Sequence, residues 1–253
     1  MKKILVASAL AALVSGAAQA ADLRICVEGA YPPFSATSPS GELIGFDIDI
    51  TNALCDVMGK ECELVQTEWD GIIPALLERK CDAIIASMSI TEERRKTIDF
   101  TDKYYQTPAV FVAAEGAGIP DTAEGLADKV VGVQRGTIHH DYMTGEFPDV
   151  ELRLYGTQEE ANLDLQAGRV DAVLADSVTL DDGFLKTPAG EGFAIFGEPR
   201  TDETYFGVGA GIGVRKEDTE LRDALSAAIA AIRENGVYDE ISSGYFDFDV
   251  YGD

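Results

Sequence analysis

The run IIASMSITEERR, Ile84 to Arg95, places three hydroxyls, Ser87, Ser89 and Thr91, just ahead of two arginines, Arg94 and Arg95. Ile84 to Met88 reads as a buried strand and Thr91 as the N-cap of a helix. Such a cap favours an acid three positions on, because the free N–H groups of a first helical turn carry partial positive charge that repels cations. Arg94 stands there instead. Positive charge beside hydroxyls and free N–H groups is tolerable when an anion shares the place, and a guanidinium can hold a carboxylate through two parallel hydrogen bonds. The chemistry expected here is anion binding.

An acceptor for a cation comes from a second part of the chain. RKCDAIIASMS (79–89) resembles GRVDAVLADSV (168–178), with Ser87 falling on Asp176. Two parallel strands of similar composition would also look alike, but ICVEGA and VGVQRG match loosely as well. The elements around these motifs alternate. LRICVEG, a helix over 47–58, CELVQTEW, a helix over 70–79 and CDAIIASMS form one series. KVVGVQRGT (129–137), a helix through IHHDYM, a strand near ELRLYG, a helix over 157–167 and VDAVLADS form another. The pattern predicts an α/β protein of two lobes, each a mostly parallel sheet flanked by helices. Ligands of open parallel sheets bind beyond the carboxyl ends of the strands. With those ends facing, Ser87 and Ser89 look across a cleft toward Asp176, and Gly136 and Thr137, at another helix start, add N–H donors. A carboxylate and an ammonium held together describe an α-amino acid.

Composition limits the setting. The 253 residues suffice for two lobes of about 100 residues each. The opening MKKILVASALAALVSGAAQA has Lys2 and Lys3, an apolar stretch from Ile4 to Val14 and Ala18-Gln19-Ala20 as a small-residue cleavage site. Residues 1–20 therefore read as a secretory signal, too short in its apolar part to span a bilayer. Its removal leaves 18 basic residues against 45 acidic ones, a net charge of −27. Nucleic acid is excluded as a partner, since no basic patch is visible. The acidity serves solubility and raises the local concentration of cations. Four cysteines in an exported chain suggest disulfides. Cys55 and Cys62, at a helix-to-strand corner, are the favoured pair; Cys26 and Cys81 are as readily two buried thiols as a second bridge. No CxxC and no clustered histidines accompany them, so neither zinc nor any other cofactor is expected.

GELIGFDIDITNALCDVM, IIPALLERKCDAIIASMSITEERR and the ending YFDFDVYGD resemble the polar amino acid family of periplasmic solute-binding proteins (family 3), including its lysine/arginine/ornithine- and histidine-binding members. The resemblance covers essentially the whole chain after residue 20. It implies a type II binding-protein fold that closes on its ligand and delivers it to the membrane permease of an ABC importer. A monomer is expected. Lobe 1 would comprise 21–106 and 208–253, lobe 2 110–204, with hinge segments at 107–109 and 205–207. Carried over by position, Arg94 would take the α-carboxylate, helped by Ser89 and the Thr137 N–H, and Asp176 the α-ammonium, while Tyr31 and Trp69 would sandwich the side chain.

The departures concern specificity. Glu28 stands where basic amino acid binders of this family usually have aspartate, Trp69 stands for a common phenylalanine, and EGAYPPF and EWDGIIP look more like an opine-binding branch. Asp176, however, fits a free α-amino group better than an opine's secondary amine. Asp47 either reaches a cationic side chain or caps the helix that starts there. Ser87, Gln134 and His139 complete the candidate ligand-binding set, and Phe246 and Phe248 should pack the C-terminal tail onto the first lobe. An enzyme on the same fold, such as a dehydratase, would need a general acid or base aimed at a reacting atom. Glu28 is the one serious candidate, and no nucleophile, base and orienting group stand together; no catalytic residue is assigned. Export by this signal predicts a mature chain beginning at Ala21. An intact mass that retains Lys2 and Lys3 would contradict it.

Overall fold

The computed structural model describes residues 21–252; the secretory-signal reading concerns residues 1–20, which lie outside them. Two five-stranded sheets organise the chain, and their topologies correspond. In the first, the order is Cys62–Gln66, Leu23–Val27, Ala83–Ile84, Ala210–Val214 and Asp99–Tyr105. In the second, it is Glu151–Tyr155, Val130–Gln134, Ala172–Asp176, Ala109–Ala114 and Phe193–Arg200. The first three strands of each are parallel, and the last two pair antiparallel.

The short sequence repeat is structural. Asp82 accepts a hydrogen bond from the backbone N–H of Arg24 at 2.9 Å, and Asp171 accepts one from Val130 at 2.8 Å. Each aspartate thus pins the third strand of its sheet to the second through the same backbone position. Extending that register sets Glu28 against Gln134, and Ser87 against Asp176, at the strands' carboxyl ends.

The expected helices form with small shifts at their ends. Phe46–Met58 buries Phe46, Ile50 and Leu54, spaced four apart, and stops at Gly59 in a left-handed conformation. Its N-cap is Gly45, so Asp47 is not the cap. Trp69–Leu77 starts one residue earlier than expected, Ile138–Glu146 is capped by Thr137, and Gln158–Gln166 begins with a capping box of Thr157 and Glu160. Thr91 caps its helix as expected, accepting from the Arg94 N–H at 3.2 Å. That helix, Glu92–Arg95, is a single turn, so its aligned peptides add little field, and any anion there depends on the Arg94 side chain.

Each lobe has its own apolar interior. Phe34, Phe46, Tyr104 and Phe246 pack in the first, where the Phe46 and Phe246 rings lie 5.0 Å apart; Phe248 is half exposed and rests against Phe246 at 5.8 Å. Phe111, Tyr142, Met143 and Phe147 pack in the second. The chain passes from first sheet to second between Tyr105 and Ala109, and returns between Arg200 and Ala210. Tyr205 and Phe206, inside the segment 205–207, pack into the second lobe on Tyr142. The return is made just after them, where Val208 donates to the Ile90 carbonyl and Ile90 to that of Gly209. Gly207 there has φ 68°, and a Cβ would collide with the Ile90 carbonyl, so only glycine fits.

Both cysteine pairs are bridged, Cys55 to Cys62 and also Cys26 to Cys81. The second closes a loop with a sequence separation of 55, the first one of 7. In the chain-entropy picture the longer loop contributes about 4 kcal/mol and the shorter about 2.4 kcal/mol. Replacing Cys26 and Cys81 by serine should therefore lower the denaturant midpoint more than replacing Cys55 and Cys62. The reverse order would contradict this account.

Candidate functional site

Between the lobes lies a cavity of about 210 Å³. Of the residues expected at the site, Glu28, Tyr31, Trp69, Ser87, Ser89, Arg94, Gln134, Thr137, His139 and Asp176 line it. Asp47 does not: it is fully buried behind Ser87, where it accepts hydrogen bonds from Ser87 Oγ at 2.9 Å and Tyr104 Oη at 2.8 Å. Neither expectation for Asp47, a helix cap or a contact to a cationic side chain, is met, because the carboxylate turns inward from the helix.

Arg94 reaches the cavity from its one-turn helix. One guanidinium nitrogen donates to the Ser89 carbonyl at 2.9 Å, and its carbon lies 5.3 Å from the Trp69 ring centre. No carboxylate pairs with it among the described residues. Burial lowers its pKa to about 10, against the opposing influence of Asp141. His139, buried beside it, is pushed down to about 3 by burial and then by the Arg94 charge. The imidazole is therefore neutral and brings no competing cation.

The opposite sign gathers elsewhere in the same cavity. Asp176 ends its strand and caps the next helical turn, accepting from the Val178 N–H at 2.8 Å and from the Thr107 hydroxyl. Burial raises its pKa to about 6 in spite of those donors. Glu28 is 6% exposed; burial first, then the nearby charges of Asp47 and Asp70, lift it to about 7 although Gln134 donates to it. That hydrogen bond, Gln134 Nε2 to Glu28 Oε1 at 2.6 Å, runs from one lobe to the other. So do Trp69 Nε1 to the Gly136 carbonyl at 3.2 Å, the Asp176 N–H to Tyr31 Oη at 3.4 Å and the Arg135–Asp70 ion pair at 2.6 Å. The lobes meet around the cavity through the repeat-related ends of their strands.

The cavity also has lining residues outside the expected set, most of them in the crossovers. Tyr105, which stacks on Phe34 at 4.6 Å, Thr107 and Phe206 all belong to the segments entering and leaving the crossovers. A signal was present in KYYQTP and ETYFG, aromatic pairs beside small or turn-forming residues. It becomes interpretable only once the two crossings are located.

Comparison with known proteins decides the family. The family model of bacterial extracellular solute-binding proteins, family 3, matches residues 23–248. The chain belongs to that family. It is a periplasmic solute-binding protein. It is 53% identical to the L-arginine-binding protein of Pseudomonas aeruginosa over 100% of this chain and 99% of that one. It is 42% identical to the lysine/arginine/ornithine-binding periplasmic protein of Escherichia coli, over 100% and 99% respectively. An ancestral arginine-binding protein solved with arginine bound superposes with a TM-score of 0.82 at 35% identity, covering 88% of this chain and 97% of the other.

The raised carboxyl pKa values make stability depend on pH. Glu28, Asp47 and Asp176 are all raised, Asp47 likewise to about 7 by burial, so between their folded and unfolded pKa values the native state holds three extra protons. His139 acts oppositely below its ordinary value, the unfolded state holding one extra proton. The native state binds more protons in balance, so stability should increase as pH falls from about 8 to about 5. Carboxylates lowered by ion pairs, such as Asp82 and Asp99, oppose this only at more acidic pH. Thermal unfolding of the wild type and of Glu28→Gln should show this rise, smaller in the variant. A Tm that falls over the same interval would contradict the assignment.

Proposed function

We propose that the protein captures a basic L-α-amino acid, arginine foremost, by closure of its lobes and delivers it to the permease of an ABC importer. The observation that carries this is the charge set of the cavity: a guanidinium, Arg94, that no carboxylate pairs with among the described residues, and two carboxyl groups, Asp176 and Glu28. An amino acid with a cationic side chain presents the complement, one carboxylate and two cations. Arg94 would take the α-carboxylate bidentately, with Ser89 and the Thr137 region beside it. Asp176 would take the α-ammonium and Glu28 the side-chain cation. Tyr31 and Trp69 would cover the aliphatic stem and attract the same cation through their ring faces. The segments 107–109 and 205–207 together with the adjoining Val208 and Gly209 would carry the hinge motion.

Arginine leads because its planar group can stack on an aromatic ring and form a bidentate contact at once. An acidic amino acid would bring a second carboxylate against Glu28 with little water to screen it. An opine is not favoured, since Asp176 is already enclosed by Thr107, Tyr31 and the turn it caps. Catalysis is not favoured either: the one carboxyl group of raised pKa near a ligand side chain, Glu28, faces an amide rather than a nucleophile or base.

Trp69 is the single tryptophan, so its fluorescence should report binding. Arginine, lysine, ornithine and histidine should bind ahead of glutamine, and all of them far ahead of glutamate. Arg94→Ala should cost about 3–5 kcal/mol of affinity, because it leaves a buried carboxylate unpaired. Saturable binding of glutamate with no response to the basic amino acids would overturn the reading, as would wild-type affinity in Arg94→Ala.

A further inference from the structure

Ser87 forms part of the cavity wall, and its backbone lies at φ 54°. That left-handed region is unfavourable for a residue with a Cβ. Among the described residues, Arg79 is the one other non-glycine with φ in this range, and it is exposed, just beyond the end of a helix. Ser87 is held in place by a closed ring of hydrogen bonds. Its N–H donates to Tyr104 Oη at 3.1 Å, Tyr104 Oη donates to Asp47 Oδ1 at 2.8 Å, and Ser87 Oγ donates to Asp47 Oδ2 at 2.9 Å. Tyr104 and Asp47 are each 0% exposed and neither lines the cavity.

The ring is well supported from behind. The Tyr104 ring lies 6.4 Å from that of Phe46 and 5.1 Å from that of Tyr105. Its backbone carbonyl accepts from Tyr238 Oη at 2.7 Å, which ties the strand to the C-terminal helices. Asp47 follows Phe46 on its helix, and the Thr51 hydroxyl donates to the Asp47 carbonyl at 2.6 Å. With its N–H and hydroxyl both engaged inward, Ser87 keeps one hydrogen-bonding group without a partner among the described residues, its carbonyl oxygen. It is the acceptor that Ser87, a lining residue, has left to offer.

Residues that persist in disfavoured backbone regions do so because their surroundings over-determine them, and such strain gathers at ligand sites. We propose that Asp47 and Tyr104 are positioning residues, which clamp Ser87 in the left-handed conformation so that its carbonyl acceptor is set on the cavity wall before an amino acid enters. They act through Ser87 and do not touch the ligand. The inference rests on the amino-acid reading of the cavity and adds the device that preorganises it. Preorganisation raises affinity because ordering is not left to the moment of binding.

Glycine at position 87 provides the test, since it adopts a positive φ without steric cost. Calorimetric titration with arginine would compare the unaltered protein with Tyr104→Phe, Ser87→Ala, Ser87→Gly and the double variant Tyr104→Phe/Ser87→Gly. Losing the Tyr104 hydroxyl should weaken binding about tenfold or more, the scale set by a strained backbone. Ser87→Ala, which loses the hydroxyl and keeps the Cβ, should bind more weakly than Ser87→Gly. The double variant should bind more tightly than Tyr104→Phe alone, a rescue that a purely structural role for Tyr104 would not allow. Wild-type affinity in Tyr104→Phe, a double variant no tighter than it, or equal losses in Ser87→Ala and Ser87→Gly would each overturn the proposal. If Tyr104→Phe fails to fold, the comparison of the two Ser87 variants decides alone. Absence of saturable arginine, lysine, ornithine or histidine binding by the unaltered protein would instead remove the reading on which the inference rests.

Discussion

The site depends on a guanidinium partly withdrawn from water without a carboxylate to meet it. Arg94 donates to one backbone carbonyl and lies over Trp69, but among the described residues no acid pairs with it. Taking an ion out of water is costly unless it is paired. Here the cost is tolerated because the remaining donors face a cavity in which a small anion can complete the pair. His139 is neutral first because it is buried, and the Arg94 charge beside it adds to that.

The carboxyl groups show the complementary constraint. Glu28 is buried and Asp176 partly so, and their raised pKa values record how poorly these surroundings support negative charge. A cationic ligand would pull both toward ionisation, so its capture would release protons. The lobes bring these groups together through a simple geometric fact: equivalent strands of two similar sheets end at the same cleft, and Glu28 meets Gln134, its counterpart in the repeat, across it.

Much of this was legible from residue types and spacing. Periodicity revealed the alternating strands and helices, and a mismatch between Arg94 and the helix start it occupies pointed to an anion. The DA-containing repeat reported two related lobes because each aspartate performs the same backbone task in its sheet. Asp47 was harder to place. An acid near a helix start next to a binding motif suits a cap, a ligand contact or a buried anchor equally, and only the direction of its side chain separates them. The Cys26–Cys81 bridge was undecided for a similar reason, since residues 55 positions apart are brought together by strand order alone.

What the sequence by itself determined was therefore local and repetitive: the strand and helix pattern, the caps, the near bridge between Cys55 and Cys62, and the types of charge available. The tertiary structure decided which of those charges share one cavity. It also decided which residues stand behind the wall and which form it, with Ser87 and Tyr105 in front and Asp47 and Tyr104 behind. The physical reason is that secondary structure follows from neighbours within a few residues, whereas burial, and with it every perturbed charge in this site, follows from two crossovers that fold distant segments against one another.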